Sequence, residues 1–563
     1  MFNPPPIRGI HRTDDRARAA YAEGAGIYRI LPRGVALPAD ADDLGELVRW
    51  AGEQGQALIP RGAGSALTGA NVGEGLVVDL TQMGPRRLRI HPEARTALSG
   101  AGVTLGELNR AASRHGLRLP PDPSSGEWAT LGGMLSTNAA GPRSLRYGSV
   151  RRWVDAAAIV TADGEFGKVG RPAGEVGDGV EDATALRRFE AEVAPAIRAA
   201  GPLIRQGFPK TRKNASGYAL DAYLESGHPL DLLVGAEGTL AFVTEIEWRL
   251  DPIPPARAAL RVDLADLDAL GEAVSALTRL QPAALELLDR TFLDLVSSSR
   301  PGTSLPEIPA AAQAILLVEF EGADPKALRD IIGDAVRAVE PWAIAVATAL
   351  SEIEERGLWA LRKAASPILA GLPESRRSMQ VIEDGCVPVP RLGEYVRFIR
   401  KAAESWGITA LIFGHAGDGN VHVNLLPEVG RSGWESRIAG LLDEVTGEVI
   451  RLGGTPSGEH GDGRLRAALL ERLYGPAILS LFHRIKTAFD PRGILNPGVV
   501  LPIGNPPISR LKTGSGAAAL PADVAAALRE LERTGGYARP RLEIADATPG
   551  SSLPGAIPPT PDP

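Results

Sequence analysis

Apolar residues recur at helical spacing through "DADDLGELVRWAGEQG", which opens on acidic residues and closes on Gly. They then gather into two short runs, "ALIP" and "LVVDL", on either side of the Gly-rich "RGAGSALTGANVGEG". This pattern predicts helix, strand, loop and strand over 35–82. "TALSGAGVTLGELNRAASRHGL" repeats the theme as a strand followed by a capped helix. The stretch 120–150 is dense in Gly, Pro, Ser and Asn without a helical period, and predicts a long functional loop. "DAAAIVTADGE" predicts a strand ending in an Asp-Gly turn. From about 255 the style changes. "ARAALRVDL", "AILLVEFEG" and "TALIFGHAGDGNVHVNLL" read as strands with amphipathic helices between them, a second α+β unit. From 432 the pattern is helical down to "LFHRIKTAFDPRGILNPGVVL". Beyond 501 the chain is Pro-rich and expected to be mostly disordered, with one short helix around 523–534. No internal repeat is evident.

A chain of 563 residues has room for two to four domains and a large core. Its net charge of −7, without a long basic run, argues against a nucleic-acid binder. No apolar run reaches the length of a spanning helix, and "MFNPPPIRGIHRTDD" lacks the signal-peptide pattern. A cytoplasmic location follows by default, with peripheral attachment at the inner membrane face left open. The one cysteine, Cys386, excludes an intrachain disulfide, a zinc ribbon and a cysteine-ligated iron–sulfur cluster built from this chain alone. A metal here must use His and carboxylate ligands. An electron relay must be an organic cofactor or lie on another chain.

"IPRGAGSALTG" runs from a strand into a loop where Gly62, Gly64 and Gly69 can turn backbone N–H groups toward an anion. The spacing is not the G-x-G-x-x-G of a nicotinamide fold, and no acidic residue stands at the ribose-reading distance. Alone, the loop fits an ordinary tight connection equally well. "PDPSSGEWATLGGMLSTNAAGPRSLRYG" and "VGAEGTLAFVTEIEWRL" add small residues, hydroxyls, amides and two arginines, chemistry suited to a diphosphate and a polar ring system in a groove.

"GHAGDGNVHVN" places two of the eight histidines around a Gly-Asp-Gly turn. With Asp418-Gly419 as a two-residue type I′ loop, His415 faces His422 across the hairpin. Facing residues share a side with Cβ atoms ~4.5–5.5 Å apart, which suits two imidazoles on one metal ion. Asn424 then shares that side, and Val421, Val423 and Leu425 point to a core. "PSGEHGDG" supplies Glu459 as a third ligand, beside His460 as a free base. The alternative on pattern alone is a hydrogen-bonded histidine pair and an ordinary turn.

These segments resemble the vanillyl-alcohol-oxidase / para-cresol-methylhydroxylase (PCMH) flavoprotein family. "PRGAGS" is similar to its pyrophosphate loop, "TLGGMLSTNAAG" to its flavin-contacting loop, "GAEGTLAFVTEIE" to its closing strand and "FDPRGILNPGVV" to its C-terminal flavin signature. The resemblance covers about 35–500. It implies an α+β fold with a two-subdomain PCMH-type FAD-binding domain at 35–253, an α+β substrate and metal domain with a helical C-terminal segment at 254–501, an N-terminal segment at 1–34 and a tail at 502–563. It also implies FAD contacts from Pro60, Arg61, Gly62, Ala63, Gly64, Ser65, Thr68 and Gly69. The second segment would contribute Pro121, Thr130, Gly132, Gly133, Ser136, Thr137, Asn138, Gly141, Tyr147 and Gly148. Glu237, Gly238, Val243 and Asn496 complete the set. Ser65 stands where members with covalent flavin carry His, so the implied FAD is non-covalent.

Within that family, "GHAGDGNVHVN" and "GEHGDG" resemble the metal motifs of FAD-dependent D-2-hydroxyacid dehydrogenases, the D-lactate and D-2-hydroxyglutarate enzymes. The resemblance implies a divalent metal, zinc first and Mn or Fe as alternatives, on His415, His422 and Glu459. It further implies His460 as base, Asn424 as a substrate contact and Arg362 of "LWALRKAAS" as the carboxylate clamp. "RRSMQVIEDGCVPVP" lacks the lysine some members place there, so Arg376 or Arg377 is the candidate substitute. "GEHGDGRLR" is similar to a branch fused to an iron–sulfur domain.

The expected reaction is hydride transfer from a small 2-hydroxy acid to flavin. Electrons would pass on to a quinone, cytochrome, electron-transfer flavoprotein or separate iron–sulfur subunit. A homodimer is compatible with the sequence. The alternatives are a flavin-binding electron-transfer subunit without turnover, a metal-dependent hydrolase, and a flavin oxidase that reduces O2 directly.

Overall fold

Asp40 starts the helix Ala41–Gln54 by accepting from the Asp43 amide, and Gly55 ends it in the left-handed region at φ 60°. Its stripe of Leu44, Leu47, Val48 and Ala51 is buried. The computed structural model describes residues 5–171, 183–299, 307–537 and 539–547. The helix connects parallel strands of a four-stranded sheet, in which Leu76–Asp79 lies between Gly34–Leu37 and Leu58–Arg61. Ile10–Arg12 adds to it antiparallel. A second, five-stranded sheet runs in the order Leu88–His91, Thr96–Gly100, Phe242–Arg249, Val154–Val160, Phe166–Gly170, every pair antiparallel. Val160 and Phe242 of this sheet share one core with Leu58, Leu76 and Val78 of the first. The Gly-rich loop after Arg61 therefore opens where the two sheets meet.

The third sheet has seven strands, in the order Ala343–Ala349, Ala256–Leu264, Ala314–Gly322, Ala284–Asp289, Thr409–Gly414, Asn420–Leu426, Gly385–Cys386. All are antiparallel, and helices including Leu392–Ser405 and Trp434–Arg451 bury its apolar residues. No helix among the described residues is long and apolar enough to cross a membrane.

Two expectations are corrected. The stretch 120–150 holds a helix, Leu131–Thr137, started by Thr130 and stopped by Asn138 in the left-handed region. Leu131, Met134 and Leu135 are buried at helical spacing, but paired glycines hide the period. The tail expected to be mostly disordered is ordered over 502–537 and 539–547. Leu511 bridges to Tyr28, and the helix Ala522–Thr534 buries Val524, Leu528 and Leu531 against Ala17, Ala20 and Tyr21. The short helix expected at 523–534 is this one. The last stretch, 548–563, lies outside the described residues.

Candidate active site

The strands Thr409–Gly414 and Asn420–Leu426 pair with Phe413 opposite His422 and Leu411 opposite Asn424. The expected two-residue turn, with His415 opposite His422, is therefore corrected. The loop runs from His415 to Gly419, because Gly414 closes onto Asn420 so tightly that a Cβ there would lie 2.4 Å from the Asn420 carbonyl oxygen. His415 leaves the ladder, accepts through its carbonyl from the Asp418 and Asn420 amides, and swings its ring back. The two imidazoles still meet, with centroids 4.9 Å apart and planes at 88°. Val421, Val423 and Leu425 enter the core as expected.

Glu459 completes the group. Its Oε1 lies 3.1 Å from His415 Nε2, 3.4 Å from His422 Nε2 and 3.5 Å from His460 Nε2. Lys213 donates to the other oxygen, Oε2, at 2.7 Å, which leaves Oε1 for the imidazoles. Each ring is held from behind through Nδ1. His415 bonds Glu286 at 2.6 Å, His422 bonds the Glu383 carbonyl at 2.9 Å, and His460 bonds Glu383 Oε2 at 2.6 Å. An Nδ1–H donated to an acceptor leaves the Nε2 lone pair free to point inward. Ligand atoms of His415, His422 and Glu459 all fall within 4.8 Å of one another, and so do those of Glu383, His422 and His460. The donor chemistry, imidazole nitrogen and carboxylate oxygen with their supports in place, fits a divalent metal.

Electrostatics in this pocket follow from charge neighbours overcoming burial. Burial alone would lower His415, but Glu286 and Glu459 outweigh it and raise the ring to about 9. Burial would likewise lower His460, yet Glu383 and Asp384 lift it to about 10. His422 goes the other way, lowered by burial. Glu286 and Glu383 are both held at about 2, burial being outweighed by His415 and Arg362 for the first and by His460 and Arg466 for the second.

Arg362 donates through Nε to Glu286 at 2.9 Å, and its guanidinium lies 4.5 Å over the Phe413 ring. Asn424 accepts from Ser378 at 2.9 Å and borders the cleft. Arg377 does not border the cleft. It is buried and paired with Glu374 and Glu532, and Arg376 is exposed.

His415, His422, Glu459, His460, Arg362 and Asn424 border one cleft of about 560 Å³, and so do most of the glycine-segment residues. Pro60, Arg61, Gly62, Ala63, Gly64 and Ser65 line it, as do Thr130, Gly132, Gly133, Ser136, Thr137, Gly141, Glu237, Gly238 and Val243. The segments interlock through their glycines. A Cβ on Gly62 would meet Thr130 Oγ1 at 2.2 Å, and one on Gly238 would meet Pro60 at 2.7 Å. Gly64 sits at φ 83° above the Arg61 guanidinium. Arg61 is buried, pulled down to about 10 by that burial, and its Nε has no hydrogen-bond partner among the described residues. Asn71 Oδ1 is also unpartnered at the cleft wall. A glycine cradle with orphaned donor and acceptor atoms fits an anionic cofactor carrying polar groups.

Seven expected cofactor contacts do not border the cleft: Thr68, Gly69, Pro121, Asn138, Tyr147, Gly148 and Asn496. Several build its walls instead. Asn496 donates to the carbonyls of Ala70 and Glu237, Asn138 caps a helix, Gly69 packs on Tyr28, and Tyr147 bonds Glu321 beside Arg118. The sequence reading also missed Glu286, Glu383, Lys213 and Arg466. The signal for Glu286 was an acid inside the unbroken apolar run "ALELLD", where a buried charge demands partners.

Comparison with known proteins now adds the group that the cradle takes. Residues 32–170 match the FAD binding domain family, and 253–500 match the C-terminal domain of FAD-linked oxidases. The D-lactate dehydrogenase of Archaeoglobus fulgidus is 33% identical, over 83% of this chain and 91% of its own. This chain belongs to the FAD-linked oxidases. It is an FAD-dependent oxidoreductase. The glycolate oxidase subunit GlcD of Bacillus subtilis is 31% identical over 84% of this chain and 89% of its own. The D-2-hydroxyglutarate dehydrogenase of Pseudomonas putida is 29% identical over 89% of this chain but only 51% of its own, so this chain spans about half of that relative. The crystal structure of p-cresol methylhydroxylase shares the fold, with a TM-score of 0.60 at 14% identity over 88% of this chain and 94% of that one.

Proposed function

We propose that this FAD-linked oxidase converts a D-2-hydroxy acid to the 2-oxo acid, using a divalent metal, zinc foremost, on His415, His422 and Glu459. The carrying observation is the convergence of three imidazole Nε2 atoms on Glu459 Oε1, inside the cleft that the glycine segments line. The names of the relatives, D-lactate and D-2-hydroxyglutarate dehydrogenase, support the acid class. A bound metal would supply Lewis acidity to the substrate oxygens, and bound FAD would supply the hydride acceptor.

The chain's own residues do the rest. Arg362 pairs with the substrate carboxylate through its outer guanidinium nitrogens while Glu286 fixes its orientation through Nε. Asn424 donates its NH2 to the substrate head group. His460 takes the hydroxyl proton at Nε2, and Glu383 stabilises the imidazolium that forms. Without a metal, His460 already holds a proton at neutral pH, being raised to about 10. The acceptor role belongs to its neutral form. Electrons then leave for a quinone, a cytochrome, an electron-transfer flavoprotein or an iron–sulfur subunit. The test is anaerobic: D-lactate, L-lactate, D-2-hydroxyglutarate and glycolate are each added to flavin- and metal-loaded protein. Bleaching of the flavin band by a D-acid supports the reading. A band left intact by all of them in fully loaded protein, or bleached by L-lactate alone, would refute it.

A further inference from the structure

The two family domains match 32–170 and 253–500, yet the cleft has walls beyond both. Ala25 near the N-terminus and Glu532, Arg533, Gly535 and Tyr537 of the tail border it, together with Trp128. The contacts form layers. The Ala25 amide donates to the Gly64 carbonyl at 2.9 Å, and Arg61 donates to the Glu23 carbonyl at 2.8 Å, so residues 23–25 lie on the glycine loop. The tail lies on them in turn. Arg29 donates through its amide to the Arg510 carbonyl at 2.9 Å, and Lys512 to that of Ile27 at 2.8 Å. The helix Ala522–Thr534 then carries the chain to the cleft. There Gly535 approaches Trp128 so closely that a Cβ would lie 2.9 Å from its ring. Tyr537 sits beside Trp128 with centroids 6.5 Å apart and planes at 31°. Arg541, buried, sets its guanidinium 5.6 Å over the Tyr537 ring and so holds that ring in place.

We propose that the two chain ends form a cofactor-retaining clamp: residues 15–30 and 508–547 brace the glycine loop from behind and wall the cleft with Tyr537 against Trp128, so FAD leaves only after the tail undocks. The clamp rests on FAD as the occupant of this cleft. It makes tail docking and FAD binding mutually supportive, because each orders surface that the other contacts.

The test follows FAD release from the holoprotein by recovery of flavin fluorescence after dilution. Tyr537→Ala is expected to speed release tenfold or more, and Tyr537→Phe, which keeps the ring, is expected to match the parent. Arg16→Ala is the remote variant. Arg16 donates to the carbonyls of Ala545 and Ala547 at 2.7 and 2.9 Å and does not border the cleft. Loosening the tail there is expected to speed release at least threefold. Trypsin cleavage within 508–547 of the parent is expected to slow when FAD is saturating. Release within twofold of the parent for either Tyr537→Ala or Arg16→Ala, with unchanged far-UV circular dichroism, would overturn the clamp. So would cleavage indifferent to FAD. If Tyr537→Ala fails to fold, Arg16→Ala and the proteolysis decide. A parent that binds no FAD would sink the cofactor assignment itself, a distinct result.

Discussion

Glu286→Gln tests the arrangement at its most connected point. Glu286 is fully buried, accepts from His415 Nδ1 at 2.6 Å through one oxygen and from Arg362 Nε at 2.9 Å through the other. A carboxylate can accept at both oxygens, whereas a primary amide has one acceptor and one donor. Glutamine keeps the volume but must break one bond. If its NH2 faces His415, that ring must accept at Nδ1, so its hydrogen moves to Nε2 and the lone pair a metal needs is lost. If its NH2 faces Arg362 instead, two donors oppose each other and the carboxylate clamp loosens. Either orientation forfeits a charge-assisted hydrogen bond, worth ~1.5–3 kcal/mol, or roughly 10- to 150-fold in affinity. Supporting residues behind metal-bound histidines cost roughly 10- to 100-fold when changed. The assay has two arms. Chelator competition measures metal affinity, and anaerobic flavin reduction at varied acid concentration measures substrate affinity. At least one must fall tenfold. Both remaining within twofold in a folded variant would refute the reasoning.

His460→Ala is expected to keep FAD and metal but to lose flavin reduction by the acid; reduction at the parental rate would unseat it as the base. His422→Ala is expected to lower bound metal at least tenfold, read by elemental analysis after dialysis, and unchanged content would contradict the ligand set. Gly64→Val places a β-branched residue at φ 83°, with its Cβ 2.5 Å from Arg61 Nη2; the ratio of flavin to protein absorbance should drop several-fold. His415, raised to about 9, carries a proton at pH 7 that a metal must displace. Metal affinity should therefore climb as pH goes from 6 to 8, by roughly tenfold per unit for each displaced proton; a flat profile by calorimetry would count against His415 as a ligand.

What the sequence revealed and what it hid divide by range. Period-2 alternation placed Val421, Val423 and Leu425 on the core side of their strand, and the structure buries all three. The same reasoning misjudged the hairpin by two residues, because Asp-Gly suits short and long loops alike and the deciding contact, Gly414 against Asn420, is tertiary. Proline content suggested a loose tail. It obscured the Val524, Leu528 and Leu531 stripe, whose partner surface, Ala17, Ala20 and Tyr21, lies some five hundred residues earlier in the chain. Most of the glycine segments converge because their motifs are local and carry their own geometry. Tyr147 and Asn496 sit inside motifs of the same kind yet turn away, since a motif does not say which of its residues face the ligand and which face the protein.

The acids that organise the site were hidden for the same reason, and their arrangement has a logic. Glu286 is shared by His415 and Arg362, and Glu383 by His460 and Arg466. A buried carboxylate is costly alone, so each is stabilised by two cationic or proton-donating partners from distant segments. The pairing also joins the two proposed functions: Glu286 aims both the imidazole proposed to bind metal and the arginine proposed to hold the substrate carboxylate, so neither can drift without the other. Charge balance points the same way. Glu286, Glu383, Asp384, Asp418 and Glu459 face Lys213, Arg362 and Arg466, and Asp462 beside Arg466 is pushed up to about 7 by its burial, so acids outnumber Lys and Arg in this buried pocket. Two imidazoles offset that excess, His415 raised to about 9 and His460 to about 10. One divalent cation carries the same charge as those two protons. At the proposed metal site, a divalent cation could take the place of those two protons with no change in the net charge of the pocket.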